Sequence, residues 1–162
     1  MTEEIMSQCT SYIKSLCYIA ENKDIIIDPC AGKGDLKKYI EPLARFCFNY
    51  DAASVSNSNS TSNSISIGKL DFRTVDFNRF EQTNLSGLWY DKVHIISCPP
   101  GTEAFTYLEK CSEFADSIAF ILPHELINMT NICSAYKIKL LVEIDANWVL
   151  KIWDKPVNKN WN

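Results

Sequence analysis

The chain has 162 residues, of which 46% are hydrophobic and 12% aromatic, and its formal net charge is −4. This length predicts one domain with a substantial core. The acid excess, with an isoelectric point near 5.2, excludes a broadly basic surface of the kind that binds nucleic acid non-specifically.

The first predicted element is a helix near the start of the chain. Thr2 can cap it, and Glu3 and Glu4 fall in its first turn, where acids suit the helix dipole. Apolar residues then recur at helical spacing and predict a face that packs on the core. They are Ile5, Cys9, Tyr12, Ile13, Leu16, Cys17 and Ala20.

Residues 24–36 join an aliphatic run to a turn with two glycines and then to a second helix. The Ile triplet 25–27 predicts a short strand buried on both faces, with Asp28 at its carboxyl end. Gly32 and Gly34 allow a positive φ or the close approach of a ligand. From Lys33 onward the apolar spacing predicts a helix. In open α/β sheets such a unit forms the crevice that binds nucleotide-like ligands.

The residues of this turn argue against a dinucleotide ligand. The dinucleotide fingerprint G-x-G-x-x-G admits a pyrophosphate to a helix N-terminus. Here Asp28 precedes the turn and Asp35 follows it. Two carboxylates repel a phosphate but suit a cationic or amine-bearing ligand. A turn that binds no ligand is the alternative.

Two further strands are predicted in the next part of the chain. Residues 45–51 alternate as a strand that ends at Asp51. Residues 54–64 are almost entirely Ser and Asn and predict a flexible loop. Either Asp71 or Asp76 ends the third strand, and we favour Asp76. Each of these three aspartates has a simple turn acid as its alternative interpretation.

The second half of the chain predicts two buried strands, helices and a hairpin. The fourth strand, from Val93 to Ile96, ends before Pro99 and Pro100 because proline cannot donate ladder hydrogen bonds. A helix is predicted over residues 102–114 and a fifth strand over 117–122. His124 then follows as a base, a phosphate ligand or a loop residue. The last elements are a helix with Leu126, Met129 and Cys133 on its inner face and a hairpin over 138–145 and 148–153.

The cysteines and histidines bear on the cellular compartment and on metal binding. The seven cysteines, at positions 9, 17, 30, 47, 98, 111 and 133, show no C-x-x-C spacing. Their odd number and scatter favour reduced thiols in a cytoplasmic setting over a disulfide framework or a zinc site. Since only His94 and His124 are available, we expect no metal centre. We also expect no membrane segment, because the longest apolar runs have the length of strands.

The turn D-P-C-A-G-K-G at residues 28–34 resembles motif I, D-P-x-x-G-x-G, of the class I S-adenosylmethionine-dependent methyltransferases. The resemblance implies a single-domain, Rossmann-like α/β fold. Its mostly parallel sheet would have the order 3-2-1-4-5-7-6, helices on both faces and a C-terminal antiparallel hairpin. It implies S-adenosylmethionine as cofactor, with Asp51 at the ribose hydroxyls and Asp76 at the adenine amine. The implied cofactor-binding residues are Asp28, Cys30, Ala31, Gly32, Gly34, Asp51 and Asp76.

The segment Cys98-Pro99-Pro100-Gly101 resembles motif IV, (N/D/S)-P-P-(Y/F/W), of enzymes that methylate adenine N6 or related exocyclic nitrogens. In that family the polar side chain and a carbonyl of the proline region accept the two amine N–H groups, and the aromatic ring stacks on the base. The implied catalytic residues are Cys98, Pro99 and Pro100, and the implied substrate-binding residues are Gly101, Phe105 and His124. Two positions depart from the motif, because a thiol is a weak acceptor and Gly101 has no ring. Phe105, about one helical turn later, is the expected substitute for the ring.

Two functions therefore stay open. The first is an amine methyltransferase, with adenine N6 in nucleic acid as the acceptor, and the second is a catalytically degenerate relative that serves as a binding subunit. A lesser alternative makes Cys98 the covalent nucleophile of a pyrimidine C5 methyltransferase, although the Pro-Cys order of those enzymes is missing.

The motifs between Asp24 and Lys155 also resemble small methyltransferase-like proteins of large DNA viruses. This resemblance covers nearly the whole chain and implies a domain over residues 1–155, followed by a tail over 156–162. It implies a host-cytoplasmic location, with a nucleic acid substrate and a partner protein subunit as candidate partners.

Overall fold

The computed structural model describes residues 1–53, 67–128 and 137–155. In these ranges the strands are β1 (Ile25–Asp28), β2 (Phe46–Asp51), β3 (Gly68–Lys69), β4 (Val93–Ser97), β5 (Ser117–Pro123), β6 (Lys137–Glu143) and β7 (Trp148–Asp154). The helices are α1 (Glu3–Leu16), α2 (Lys37–Ile40), α3 (Phe77–Asn84) and α4 (Ala104–Cys111). Single 3-10 turns lie at Glu41–Leu43, Gly101–Glu103 and His124–Leu126. None of the described helices is long and apolar enough to cross a lipid bilayer.

The strands form one sheet in the order β3-β2-β1-β4-β5-β7-β6. The strands from β3 to β5 are parallel, whereas β7 runs antiparallel to both β5 and β6. This is the Rossmann-like α/β order expected from the sequence, including its terminal hairpin. Because β1 lies between β2 and β4, the turns that follow these three strands meet at one edge of the sheet.

Helices cover both faces of the sheet, and the alternation of side chains in the strands decides which helix each face receives. Ile25 and Ile27 pack in one core with Phe80 of α3 and Leu108 of α4. Ile26 packs in the other core, with the buried residues of α1 and α2. All four residues of β1 are buried, as predicted for a central parallel strand with helices on each side. Thr2 caps α1 as expected, since its Oγ1 accepts the Ile5 N–H at 3.2 Å.

The helix after the glycine turn is later and shorter than predicted. It begins at Lys37 rather than Lys33 and makes one α-turn before the 3-10 turn that contains Pro42. The chain turns tightly just before it, because Gly32 and Gly34 both have positive φ and the Gly34 N–H donates to the Ala31 carbonyl at 2.7 Å. Similarly, α4 occupies Ala104–Cys111 rather than the whole of 102–114.

The third strand ends at Lys69, so the placement of Asp76 at its end is wrong. Asp76 is instead the N-cap of α3, where its Oδ1 accepts the Asn78 and Arg79 N–H groups at 3.1 and 3.4 Å. The predicted loop 54–64 and tail 156–162 lie outside the described residues. So does most of the helix expected around Met129 and Cys133.

A buried polar network joins the other edge of the sheet, where the parallel strands begin. The Asp24 Oδ2 lies 2.8 Å from His94 Nε2, and Ser117 Oγ lies 2.6 Å from His94 Nδ1. The Asp24 carboxylate also accepts the Ala20 and Lys92 N–H groups, at 2.9 and 3.2 Å. Because these side chains are almost completely buried, their polar atoms depend on one another rather than on water.

We predict that Asp24→Ala lowers the free energy of unfolding by about 3 kcal/mol or more, since it leaves a buried imidazole and two backbone donors without their acceptor. Urea unfolding at neutral pH measures the change. Asp91→Ala is the matched control, because Asp91 is exposed and its substitution should change the same quantity by less than about 0.5 kcal/mol. A loss below 1 kcal/mol for Asp24→Ala would contradict this role of the network.

Candidate functional site

A cleft of about 510 Å³ lies at the carboxyl edge of the sheet, within the size range of small-molecule sites. It extends across five neighbouring strands, from the tip of β2 past β1, β4 and β5 to the first residue of β7. Its lining residues are Cys30, Gly32, Asp51, Ala52, Ala53, Cys98, Pro99, Pro100, Gly101, Glu103, Tyr107, Pro123 and Trp148.

One end of the cleft is formed by the glycine turn and the tip of β2. Asp51 Oδ2 accepts the Gly32 N–H at 2.8 Å, and its Oδ1 accepts the Ala53 N–H at 3.0 Å. Gly32 has a φ of +56°, and a Cβ at this position would meet no atom of the described residues within 4 Å. Gly32 thus has the positive φ that glycine allows, and no described residue packs against it on that side. A ligand can approach this backbone closely.

Asp28 is buried next to the turn and does not line the cleft. Its Oδ1 accepts a hydrogen bond from Ser97 Oγ at 2.6 Å and another from the Cys30 N–H at 3.0 Å. Burial raises the pKa of Asp28 to about 7, while these two hydrogen bonds act in the opposite direction. The structure therefore gives Asp28 a positioning role between β1 and β4 rather than the ligand contact expected from the sequence.

The other end of the cleft is formed by residues 98–101 with Pro123 and Trp148. Burial raises the pKa of the Cys98 thiol to about 12. Since the thiolate is the nucleophilic form, this environment does not favour the pyrimidine C5 alternative. A Cβ on Gly101 would lie 3.3 Å from Pro123 Cγ, so an aromatic side chain in that direction requires Pro123 to shift.

Trp148 reaches the cleft through the antiparallel pairing of β7 with β5, which places Trp148 opposite Pro123. The backbone N–H of Trp148 donates to Asp145 Oδ1 at 3.0 Å, which fixes the hairpin turn just before Trp148. The ring is partly buried. Trp148 is therefore a large aromatic surface at the same edge as Pro99 and Pro100.

The structure brings together seven of the residues that the sequence proposed for the site. These are Cys30, Gly32, Asp51, Cys98, Pro99, Pro100 and Gly101. Ala31 and Gly34 belong to the turn without lining the cleft, and their N–H groups donate to the carbonyls of Tyr50 and Ala31.

Three other candidates lie away from the cleft. Asp76 caps α3, as described above. Phe105 is 49% exposed on α4, rather than packed on the core or into the cleft, because the neighbouring positions Ala104 and Leu108 take the inner face. His124 is directed to the hairpin, where its Nε2 lies 2.7 Å from Glu143 Oε1.

Six lining residues were not predicted from the sequence, namely Ala52, Ala53, Glu103, Tyr107, Pro123 and Trp148. Glu103 and Tyr107 follow the Pro-Pro pair closely, which is the only local signal for them. Arg73 connects Glu103 to the chain after β3. Its Nε and Nη2 donate to Asp71 at 2.8 and 2.6 Å, and its Nη1 donates to Glu103. The guanidinium also lies 5.8 Å from the centre of the Tyr107 ring.

The described ranges contain no group of three or more His, Cys, Asp or Glu side chains that could hold a metal ion. The six cysteines in these ranges are free thiols.

No family model matches the sequence, and neither does any curated protein. Solved structures, by contrast, share the fold. The 23S rRNA methyltransferase ErmE aligns with a TM-score of 0.65 at 9% identity, over 98% of this chain and 70% of its own. A dimethyladenosine transferase from Plasmodium falciparum aligns with a TM-score of 0.58 at 13% identity, over 96% of this chain and 62% of its own. A Streptococcus mutans protein assigned as a methyltransferase, in complex with S-adenosylhomocysteine, gives 0.56 at 12% identity, over 96% and 100%. At these identities the similarity shows the fold alone, a Rossmann-like α/β fold that this chain shares with these structures.

We predict that Asp28→Asn removes a pH dependence of stability that the wild type shows between about pH 4 and pH 7. The ordinary pKa of this carboxyl is 3.8 and its folded value is about 7. The folded chain therefore keeps a proton that the unfolded chain releases in this window. The stabilisation is complete below about pH 4 and is lost as the pH rises through 7, at up to roughly 1.4 kcal/mol per pH unit.

The measurement is the difference in unfolding free energy between wild type and Asp28→Asn at pH 5, 6, 7 and 8. That difference should decrease as the pH rises and level off above 7. The exposed Asp91→Asn serves as control and should run parallel to the wild type. Parallel curves for Asp28→Asn would mean that Asp28 titrates normally.

Proposed function

We propose that this chain binds S-adenosylmethionine in the cleft and transfers its methyl group to an exocyclic amine, with adenine N6 in nucleic acid as the acceptor. The observation that carries the proposal is the cleft itself. It places the glycine turn and the Pro-Pro segment, which follow adjacent strands β1 and β4, in a single cavity.

The lining of the cleft fits a cationic nucleoside better than a phosphate. Among the described lining residues Asp51 and Glu103 carry carboxylates, and Asp51, beside the glycine turn, complements the positive charge of the cofactor. Each oxygen of Asp51 accepts one backbone N–H and keeps a further lone pair for a ribose hydroxyl. The open space beside Gly32 leaves room for the amino-acid end.

The related folds support the same proposal. The similar structures include an rRNA methyltransferase, a dimethyladenosine transferase and a protein in complex with S-adenosylhomocysteine. The names of these structures support methyl transfer to nucleic acid as the reaction and S-adenosylmethionine as the cofactor. The resemblance of the motifs to viral proteins, and a partner subunit in the cytoplasm of a host cell, stay predictions.

The protein's main task in such a reaction is alignment. When bound, S-adenosylmethionine supplies an electrophilic methyl group on a sulfonium, so the chain has to hold the acceptor nitrogen in line with it. Pro99 and Pro100 make the wall after β4 rigid, and backbone carbonyls near them can accept an amine N–H. Trp148 provides the flat surface for the base that neither Gly101 nor Phe105 provides.

The alternative function is a subunit that keeps the fold without the chemistry. Cys98 favours it, since a protonated thiol accepts hydrogen bonds weakly. Calorimetry with S-adenosylmethionine and with S-adenosylhomocysteine separates the two functions. If the wild type binds neither compound, the proposed enzyme is ruled out.

We predict that Asp51→Asn weakens cofactor binding at least about tenfold, because it removes a charge and one acceptor at the β2 tip. Asp76→Asn is the matched control, since Asn can still cap α3 and Asp76 lies outside the cleft lining. Its dissociation constant for S-adenosylhomocysteine, measured by calorimetry, should equal that of the wild type. Weakening by Asp76→Asn alone would restore the original sequence prediction for that residue.

We predict that Trp148→Ala lowers kcat/KM for methylation of an adenine-containing oligonucleotide by roughly 5- to 100-fold, from the loss of stacking. Trp148→Phe should keep most of the activity because it keeps a ring. Trp89→Ala is the control: Trp89 is 61% exposed and precedes β4, at the edge opposite the cleft. Equal kinetics for Trp148→Ala and Trp89→Ala would show that Trp148 does not contact the base.

A further inference from the structure

The cleft needs a hydrogen-bond acceptor for the amine that Cys98 does not supply. Among the described lining residues only Asp51 and Glu103 carry a carboxylate. Asp51 lies at the β2 end and binds the backbone of Gly32 and Ala53. Glu103 lies in the 3-10 turn that directly follows Pro100, and its N–H donates to the Pro100 carbonyl at 3.0 Å.

A chain of charged contacts fixes the carboxylate of Glu103. The Asp71 carboxylate accepts two hydrogen bonds from the Arg73 guanidinium, at 2.8 and 2.6 Å. This bidentate pairing leaves Arg73 Nη1 free to donate to Glu103 Oε1. Within the part of the chain that the structure describes, Arg73 is the hydrogen-bond partner of Glu103, and it engages one of the two oxygens. The other oxygen, Oε2, keeps its lone pairs for a ligand.

The exposure of Glu103 suits an exchange of protons with solvent. Its side chain is 40% exposed, whereas Tyr107 behind it is almost completely buried. Glu103 thus lines the cleft and is also accessible to water. A buried carboxylate without such access would have to pass a proton to another protein group.

We propose that Glu103 accepts an N–H hydrogen bond from the acceptor amine and then takes the proton that this nitrogen loses. This inference rests on the proposed function and names its substrate class, an amine with at least one N–H. The new nitrogen–carbon bond forms as the methyl–sulfur bond breaks, and the electron pair of that bond stays on sulfur. The N–H proton passes to Glu103 Oε2 and from there to water, so that the methylated amine is neutral and Glu103 returns to its carboxylate form.

The hydrogen bond has a chemical purpose beyond holding the substrate. The lone pair of an exocyclic amine is delocalised into the ring, which makes the amine a poor nucleophile. A carboxylate that accepts its N–H stabilises the positive charge developing on nitrogen in the transition state. Glu103 therefore replaces, from five residues further along the chain, the acceptor that is missing at Cys98.

Two variants, Glu103→Gln and Glu103→Ala, test whether Glu103 takes part in catalysis or only forms a structural ion pair with Arg73. Glutamine keeps the size and an oxygen for Arg73 but cannot take a proton. We expect Glu103→Gln to bind S-adenosylhomocysteine like the wild type by calorimetry, and to lower the single-turnover rate of adenine methylation about 100-fold or more. Glu109→Gln is the control, since Glu109 is exposed on α4, and its rate should equal that of the wild type.

A binding measurement tests the same proposal without turnover. With the cofactor site saturated by S-adenosylhomocysteine, the wild type should bind adenosine about tenfold or more tightly than N6,N6-dimethyladenosine, which has no N–H to donate. Glu103→Ala should lose most of this preference, since only backbone carbonyls near the prolines would then accept the amine N–H.

The outcomes distinguish this inference from the proposed function. A wild type that binds neither S-adenosylmethionine nor S-adenosylhomocysteine overturns both. If the wild type binds the cofactor, the proposal for Glu103 is overturned by a Glu103→Gln transfer rate within threefold of the wild type. It is likewise overturned by a Glu103→Ala protein that prefers adenosine as strongly as the wild type does.

Discussion

The hydrogen bond from Ser97 Oγ to Asp28 Oδ1, 2.6 Å long, joins the two turns on which the cleft depends. It connects the last residue of β4 with the last residue of β1, and both side chains are buried. Asp28 also holds the Cys30 N–H, so the carboxyl fixes the start of the glycine turn. The buried side chains of Asp28 and Ser97, which do not line the cleft, therefore set the distance between the glycine turn and the Pro-Pro segment.

The same two strands are joined again at the other edge, by the contact between Asp24 and His94. The four-residue strand β1 thus has a buried carboxyl immediately before it and another at its end, and each one bonds to β4 or its neighbouring residues. A strand of three isoleucines has no side-chain group of its own to specify register, because aliphatic packing is non-directional. The hydrogen bonds of Asp24 and Asp28, at the two ends of β1, are directional and therefore specify its register.

The chemistry of the cleft is distributed differently from the motif that it resembles. At residues 98–101 the prolines remain, while the acceptor and the ring are absent. In the structure a carboxylate and a ring from other positions line the same cleft, Glu103 from the following turn and Trp148 from the terminal hairpin. A Cβ at Gly101 would lie 3.3 Å from Pro123 Cγ, so a ring at this position requires the Pro123 side chain to shift. The cleft can therefore contain an acceptor and a ring although the motif positions Cys98 and Gly101 carry neither.

Local patterns of the sequence by themselves determined the burial of β1, a tight turn at Gly32 and Gly34, and the end of β4 before the Pro-Pro pair. The sheet order and a site shared by Asp51 and residues 98–101 followed from the family that these motifs resemble. Only the tertiary structure decided that Asp28 does not line the cleft, that Asp76 caps a helix, that Phe105 faces outward, and that Glu103 and Trp148 line the cleft. Those positions depend on the angle at which each helix and the hairpin pack on the sheet. Side-chain direction at an element's end follows from that packing, which no spacing of residues along the chain encodes.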